Sequence, residues 1–300
     1  MNLKTKHFVF TALIICFLLC SPVYGKSSLK RIEKPYRKNG VNIVLYQGKY
    51  NTKSGGKAKY YAAHVVLSKK AYGRMHIAKA KGKRSKGFQT VKEMVRSRKT
   101  KAYNAVLAVN GPFNGADSGK WNAFGLKKYT VSHHNYHEIY GGTYAKGTIG
   151  SNAVYGEATY SSSSGLLCPG TLQPGYRKGM KLSEAAKKKV ITDTFHGDMG
   201  GTLLSDGKNL GSKRKSFAQR TFIGTNGKPG DVCIVVCNGR KSDHWSKGLN
   251  GYGEASVLKK LGCRYGYNLD GGGSSTMIYR GKTVNKQTAL RRCYDALYVK

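Results

Sequence analysis

From Val41 onward the chain settles into short runs of alternating apolar and polar residues, broken at intervals by glycine, asparagine and aspartate. VNIVLY (41–46), YYAAHVVL (60–67) and RMHIAKA (74–80) are rich in β-branched and aromatic residues and predict strands. Thr90 to Arg98 predicts a short helix with Val91, Met94 and Val95 on one face. AYNAVLAVN (102–110) reads as a strand stopped by Asn110-Gly111-Pro112. Residues 115–165, rich in Gly, Ser, Tyr and His, show no period that assigns them, and Glu184 to Lys189 is weakly helical. A clearer cadence follows. Gly200 to Leu204 runs into an Asp206-Gly207 hairpin signal, and RTFIG (220–224) and VCIVVC (232–237) flank a turn at 225–230. Gly253 to Gly262 carries Ala255, Leu258 and Leu261 on one helical stripe. CRYGYNLD (263–270) is a strand running into three glycines, and STMIYRG (275–281) and CYDALYV (293–299) are the last two strands. Strands outnumber helices, so the expected class is α+β: a mixed, strand-rich sheet core with a few packed helices, forming a single domain over 41–300. Residues 26–40 are polar, basic and aperiodic, and are expected to be a flexible basic tail.

The segment before that tail has a different texture. Lys4 and Lys6 precede an apolar stretch from Phe8 to Cys20, followed by Ser21-Pro22-Val23-Tyr24-Gly25 with small residues at Val23 and Gly25. This predicts a secretory signal peptide over 1–25, with an uncleaved anchor as the alternative. A lipid-attachment reading of Cys20 is disfavoured by Leu19, where such signals want a small residue. No apolar run reaches the roughly 20 residues of a membrane span, so no transmembrane segment is expected after cleavage. The expected location is secreted or at the cell envelope.

Charge sharpens this picture. Lys and Arg number 53 against 14 Asp and Glu, a formal charge of +39 in 300 residues. That excludes an acidic disordered chain and an ordinary near-neutral enzyme. An exported surface of this kind meets anionic wall polymers, acidic glycans or lipid headgroups. Nucleic acid fits the charge too, but no helix-turn-helix, zinc-finger or aromatic RNA-binding signature supports it, and no specific nucleic-acid partner is expected. Five cysteines follow Gly25: Cys168, Cys233, Cys237, Cys263 and Cys293. Cys233 and Cys237, four strand steps or roughly 13 Å apart, are too distant for a mutual bridge. Buried thiols are the expected state, although each can still pair with a neighbouring strand. No cysteine spacing resembles a zinc site. His133, His134 and His137 cluster, but are read as a solvent loop. No cofactor and no metal site are expected; whether a divalent metal assists stays open.

The stretch Asn268-Leu269-Asp270-Gly271-Gly272-Gly273-Ser274-Ser275-Thr276 carries the most chemistry. A carboxylate ends an apolar strand, three glycines allow a sharp turn and close ligand approach, and successive amides in such a turn can form an anion-binding nest. Three hydroxyls able to donate to phosphate or sugar oxygens follow. The plain alternative is a tight hairpin with an Asx turn. With AVNGPF (108–113), GGTLLSDGK (200–208), RTFIG (220–224), Asn238-Gly239-Arg240, Glu254, Arg291 and Asp295-Ala296-Leu297 in the same order, the chain resembles the phosphodiester glycosidase family over 108–297. Two departures stand out. Asn238 replaces the usual Asp of an Asp-Gly-Arg motif, and Pro112 and Asn114 alter the Asn-Gly turn.

The resemblance implies a hydrolase that cleaves a sugar's anomeric carbon from a phosphodiester oxygen. The leaving phosphate monoester is stable as an anion, so the site must stabilise charge and supply a base or nucleophile more than a strong acid. Asp270 is the first candidate for the essential carboxylate, with turn-fixing as its competing role. Glu254 is the second, with an exposed helix position as the alternative. Arg220 and Arg240 are candidate phosphate clamps, alternatively surface ion pairs. Gly271, Gly272 and Gly273 with Ser274, Ser275 and Thr276 would supply neutral donors. Asn110 would hold a sugar hydroxyl or form its turn with Gly111, and Asn268 and Arg291 complete the substrate-binding set. The expected partner is a phosphosugar or an anionic glycan, such as a wall teichoic acid or exopolysaccharide. The rival class is a non-catalytic envelope protein that binds anionic glycan through its basic surface.

Overall fold

The computed structural model describes residues 29–300 except 53–55, 82–87, 112–115, 118–129, 132–137, 141–142, 146–157, 172, 178–179, 196–200, 212–214, 241–243 and 287–290. The expected export signal, Pro112, Asn114 and the histidines at 133, 134 and 137 lie outside the described residues. In chain order the first half forms β1 (Lys30–Arg31), β2 (Tyr36–Lys38), β3 (Val41–Asn51), β4 (Lys57–Leu67), β5 (Met75–Lys79), α1 (Val91–Arg96), β6 (Leu107–Asn110), β7 (Ala116–Asp117), β8 (Thr130–Val131), β9 (Glu138–Tyr140) and β10 (Thr143–Ala145). The second half forms β11 (Ala158–Tyr160), β12 (Leu167–Pro169), α2 (Leu182–Lys187), β13 (Asp193–Phe195), β14 (Thr202–Ser205), β15 (Lys208–Asn209), β16 (Arg220–Thr225), β17 (Asp231–Cys237), α3 (Gly251–Lys260), β18 (Tyr265–Asn268), β19 (Met277–Tyr279), β20 (Lys282–Thr283) and β21 (Asp295–Val299). The result is the strand-rich α+β core expected from the pattern.

Two sheets packed face to face make the core, with a helix on each outer side. The nine-stranded sheet runs β1-β3-β4-β17-β16-β18-β14-β15, with β2 also paired to β3; the five-stranded sheet runs β20-β19-β6-β21-β5. Between them lie Ile43, Leu45, Ala63, Val65, Ile223, Ile234 and Val236 from the first sheet, and Ile77, Leu107, Val109, Met277 and Leu297 from the second. The opposite face of the large sheet, through Tyr60, Ala62, Phe222, Val235 and Cys237, meets Ala255, Val257, Leu258 and Leu261 of α3 and its C-terminal turn. Apolar cover on both faces explains why β4 and β17 read as nearly continuous apolar runs rather than strict alternation. Each fully buried Leu or Val of α3 contributes about 1.5–3 kcal/mol. Gly224 and Gly266 pair across β16 and β18 beneath this helix. A Cβ on Gly266 would lie 2.4 Å from Leu258 Cδ1, so a bare backbone there lets α3 sit close.

Helix α1 covers the far side of the five-stranded sheet with Val91, Met94 and Val95. Thr90 and Glu93 form a reciprocal capping box at its start. The expected strand over 102–110 is shorter than its apolar run: only 107–110 pair, and Asn104 turns at φ 56°. Ala102 and Ala105 are apolar because they pack beneath α1, not because they belong to a strand. The expected loose tail differs as well. Lys30–Arg31 and Tyr36–Lys38 pair with β3 as exposed edge strands, whose many charges hide the two-residue period. Cys168, Cys233, Cys237, Cys263 and Cys293 are all thiols, and all but Cys168 are buried. Among the described residues no helix is long and apolar enough to cross a membrane.

A third sheet, β12-β11-β13, is tied to the core by Asp193, whose carboxylate accepts from Ile77 N at 2.8 Å and pairs with His76 Nδ1 at 2.7 Å. Burial pulls the His76 pKa down, but the hydrogen bond and the charge of Asp193 outweigh it, and the net shift is upward. A histidine raised in the folded state stabilises fully below its unfolded pKa of about 6.5, and that contribution disappears as pH rises through the folded pKa. The melting-temperature advantage of wild type over His76→Gln is therefore expected to be greatest near or below that unfolded value and to shrink at higher pH. An advantage that grows as pH rises would contradict this reading.

Candidate active site

The glycine-rich stretch is the crossover between the two main sheets. β18 pairs with β16 until Asn268 lies opposite Phe222, and Leu269 N still donates to Thr221 O at 2.8 Å. By Met277 the chain has joined the five-stranded sheet, paired with Val109 of β6. Eight residues must therefore pass from one sheet to the next around the ends of β16 and β6. Gly272 takes a left-handed φ of 60° at the start of a short 3-10 turn. A Cβ on Gly271 would lie 2.9 Å from Gln219 O, which also accepts from Gly272 N at 2.9 Å.

Asn110 clasps this crossover. Its Oδ1 accepts from Thr221 Oγ1 at 2.7 Å and from Thr276 N at 3.2 Å, while Nδ2 donates to Asp270 O at 2.6 Å and Gly111 O at 3.4 Å. Those four bonds use the full capacity of the amide. Asn110 thus holds the turn together instead of offering a free donor to a sugar hydroxyl. Gly111 donates to Asp295 O at 3.1 Å and accepts from Asp270 N at 3.4 Å. A Cβ there would lie 2.1 Å from Asp295 Oδ1, so the residue must be glycine for Asp270 and Asp295 to flank it. Asp295, 1 % exposed, is a carboxylate of the last strand and of a family-like motif that the sequence does not single out as a site residue. Its signal was an acid at the head of an otherwise apolar strand.

Most of the amides from which the sequence predicts an anion nest are spent inside the fold. Asp270, Gly272, Ser274, Ser275 and Thr276 donate their N–H groups to Gly111, Gln219, Gly271, Gly272 and Asn110 respectively. The crossover needs these bonds to hold its own path. Ser274, Ser275 and Thr276 are also buried, so their hydroxyls line the inside of the turn rather than a surface open to substrate. Asn268 is buried beside them; its Nδ2 donates to Leu269 O at 2.5 Å, and its Oδ1 has no hydrogen-bond partner among the described residues. What faces solvent is the segment Asp270-Gly271-Gly272, while Gly273 is buried.

Three guanidinium groups surround that segment at different depths. Arg291 donates its backbone N–H to Gly273 O at 3.2 Å and its Nη1 to Ser274 Oγ at 3.4 Å; the same Nη1 lies 3.8 Å from Asp270 Oδ2. The Asp270 side chain keeps 19 % of its surface exposed and that of Arg291 28 %. Arg240 is exposed and reaches Gln219 Oε1 from Nε at 3.4 Å, one residue from the turn. Arg220 lies behind Gly271. It donates to Leu249 O at 3.1 Å and Ser216 O at 2.7 Å, and its Nε is 4.0 Å from Glu254 Oε1. Glu254 is fully buried on α3, not on the exposed helix surface weighed from the sequence. Asn238, just past the end of β17, is buried, with Oδ1 lacking a hydrogen-bond partner among the described residues. Burial, followed by the charge of Asp270, pushes the Cys293 thiol well above its ordinary range. Burial and Glu254 do the same to Cys237, against the opposing pull of Arg220. Both thiols are therefore protonated and unsuited to nucleophilic attack. Among the described residues no group of three or more His, Cys, Asp or Glu side chains is arranged to hold a metal.

The structure thus gathers Asn110, Gly111, Arg220, Arg240, Glu254, Asn268, Arg291 and the 270–276 turn at one end of the sandwich. Partly exposed Asp270 and Arg291 and exposed Arg240 lie in front, with the buried Arg220–Glu254 pair behind. Among curated proteins none matches the chain. Among solved structures, the catalytic domain of zebrafish N-acetylglucosamine-1-phosphodiester alpha-N-acetylglucosaminidase, auto-inhibited by its pro-peptide, is similar at TM-score 0.61 and 15% identity, covering 93% of this chain and 91% of that one. A hypothetical protein from Synechocystis is similar at TM-score 0.51 and 13% identity, over 92% of this chain and 64% of that one. A protein of Burkholderia pseudomallei described as exported is similar at TM-score 0.51 and 15% identity, over 81% and 74%. At these identities the likeness is one of fold. Residues 103–300 match the phosphodiester glycosidase family over the segment that builds this site. The chain belongs to the phosphodiester glycosidase family, and is a glycosidase-type hydrolase acting on phosphodiester-linked sugars.

Proposed function

We propose that this hydrolase is exported and removes a sugar from a glycosyl phosphodiester within an anionic envelope glycan or exopolysaccharide, with Asp270 as its essential carboxylate. The observation that carries the site assignment is a partly exposed carboxylate 3.8 Å from the Arg291 guanidinium, on a turn whose backbone is held by Asn110, Gly111 and Gln219. Water bonds to the anomeric carbon and gives its proton to Asp270. The bond from that carbon to the phosphodiester oxygen breaks, and its electron pair leaves with the phosphate monoester. Arg291 and Arg240 supply positive charge where the phosphate gains it. The Arg220–Glu254 pair and Asn110 position the turn from behind. Export and the choice of polymer rest on the N-terminal pattern and the formal charge of +39.

The test is an assay of matched substrates: a sugar 1-phosphodiester and the same sugar joined to a simple alcohol. Release of sugar together with a phosphate monoester is expected from the first, with little turnover of the second. Equal rates on both would remove phosphate recognition from the reading. Absence of sugar release from any glycosyl phosphodiester would remove the reaction itself.

A further inference from the structure

We infer that a row of lysines beside the active site, at the same end of the large sheet, is a binding track for the continuing polyanionic chain of a glycan substrate. The inference rests on the proposed glycan reading for the identity of its ligand. Its geometry comes from strand register. Lys49 of β3 lies directly opposite Lys59 of β4, and Asn51 opposite Lys57. Side chains two apart on a strand share a face, so Lys57 and Lys59 stand on the face of Tyr61, Ala63 and Val65. Tyr61 pairs with Val236, which pairs with Thr221, the residue bonded to Asn110. The row and the clasp of the active site therefore occupy the same face and the same end of one sheet.

The path between them is continuous. Past the end of β17, Asn238 N donates to Lys59 O at 2.9 Å and Lys247 N to Lys57 O at 3.0 Å. Gly239 bridges to Lys247, and Arg240 follows, in contact with the Gln219 that holds Gly272. Neighbouring strands are about 4.8 Å apart, which puts Lys59 about 10 Å and Lys49 about 14 Å from β16 across the sheet. Lys49 and Lys57 are exposed and Lys59 half-buried. None of Lys49, Lys57, Lys59 and Lys247 has an ion-pair partner among the described residues.

Folding alone does not call for this arrangement. Like charges directly opposite on paired strands are destabilising. Lysine commonly guards an open sheet edge, and that accounts for Lys49, because β1 pairs with β3 only at Tyr46 and Gln47. It does not account for Lys57 and Lys59, which have β3 on one side and Lys247 and Asn238 on the other. Flexible ammonium groups in a row suit a chain of repeated anionic groups, which each lysine meets as a point charge. A chain laid along the row would lead past Arg240 to Asp270.

The test compares a linear polymer of N-acetylhexosamine 1-phosphate with its single-repeat methyl phosphodiester, using the full chain. In the Lys49→Glu/Lys59→Glu variant, the ratio of kcat/KM for polymer to that for the single repeat is expected to fall about tenfold or more at low salt, and the deficit to close as salt screens it. Lys49→Gln/Lys59→Gln, which keeps the strand but removes charge, is expected to fall by less in the same direction, and guards against a folding defect. Lys228→Glu/Lys259→Glu, with the same charge change at the opposite end of the sheet, is expected to leave the ratio near wild type. An unchanged ratio in the first variant, or an equal fall in the last, overturns the track. Should wild type turn over neither substrate, the active-site reading fails, and the track is then judged by equilibrium binding of the same polymer, where the same loss is required. Double-stranded DNA bound as tightly as the polymer, and lost equally in the variant, overturns the glycan assignment.

Discussion

Replacing Asp270 by Asn is expected to lower kcat/KM for a glycosyl phosphodiester by about 10²–10⁴-fold, the range for loss of a positioned acid or base, with little change in melting temperature. The two parts of that expectation come from different atoms. The fold uses the backbone of Asp270: its carbonyl accepts from Asn110 and its amide donates to Gly111. The chemistry uses the carboxylate, which is partly exposed and looks onto Arg291. Asparagine keeps the shape and the backbone bonds and removes only the charge and proton affinity. If Asp270 serves mainly to fix the turn, stability and activity will fall together, and a loss of activity below tenfold would take the carboxylate out of the chemistry. Kinetics on the single-repeat substrate, paired with a thermal melt, decide between these outcomes.

Arg220→Met is expected to cost about 3–5 kcal/mol of stability, the typical penalty for stranding one member of a buried ion pair. Glu254 has no exposed surface and Arg220 is nearly as deep, so the carboxylate cannot turn to water when this cation goes. The double variant Arg220→Met/Glu254→Gln is expected to recover most of the loss, because no buried charge is left without its counterpart. Activity is not expected to recover with it, since Gly271 rests within 3.6 Å of Arg220 at the position of a missing Cβ, and the turn would settle differently. Denaturant unfolding of the two single variants and the double variant measures the coupling directly. A double variant as unstable as Arg220→Met alone would mean that Glu254 is not what makes Arg220 indispensable.

Much of the frame was legible along the chain, because alternation is a local property. β3, β4, β16, β17 and β21 appear where β-branched and aromatic residues cluster, and the Asp206-Gly207 hairpin has the two positive φ angles its sequence implies, 48° and 76°. The failures share a physical cause. Ala102 and Ala105 look like strand residues because burial beneath a helix also selects small apolar side chains. Residues 30–38 look like a tail because edge strands are charged, and their partner lies further along the chain. For the site, the residues of the signature were visible but their orientation was not. Ser274 to Thr276 read as donors to a ligand, and are buried; Glu254 read as a possible surface residue, and is core; Asp295 read as a strand residue, and flanks Gly111.

By itself the sequence determined which segments become strands, that a glycine turn follows Asp270, and which family's motifs the chain carries in order, since each of these is written in neighbouring residues. The tertiary structure alone decided which groups face outward and which serve the scaffold. That depends on contacts such as Asn110 to Thr221, 111 residues apart, and Asn110 to Asp270, 160 apart. A side chain's role is set by whether its hydrogen-bonding capacity is already spent on partners, and those partners are brought near only when two sheets close on each other.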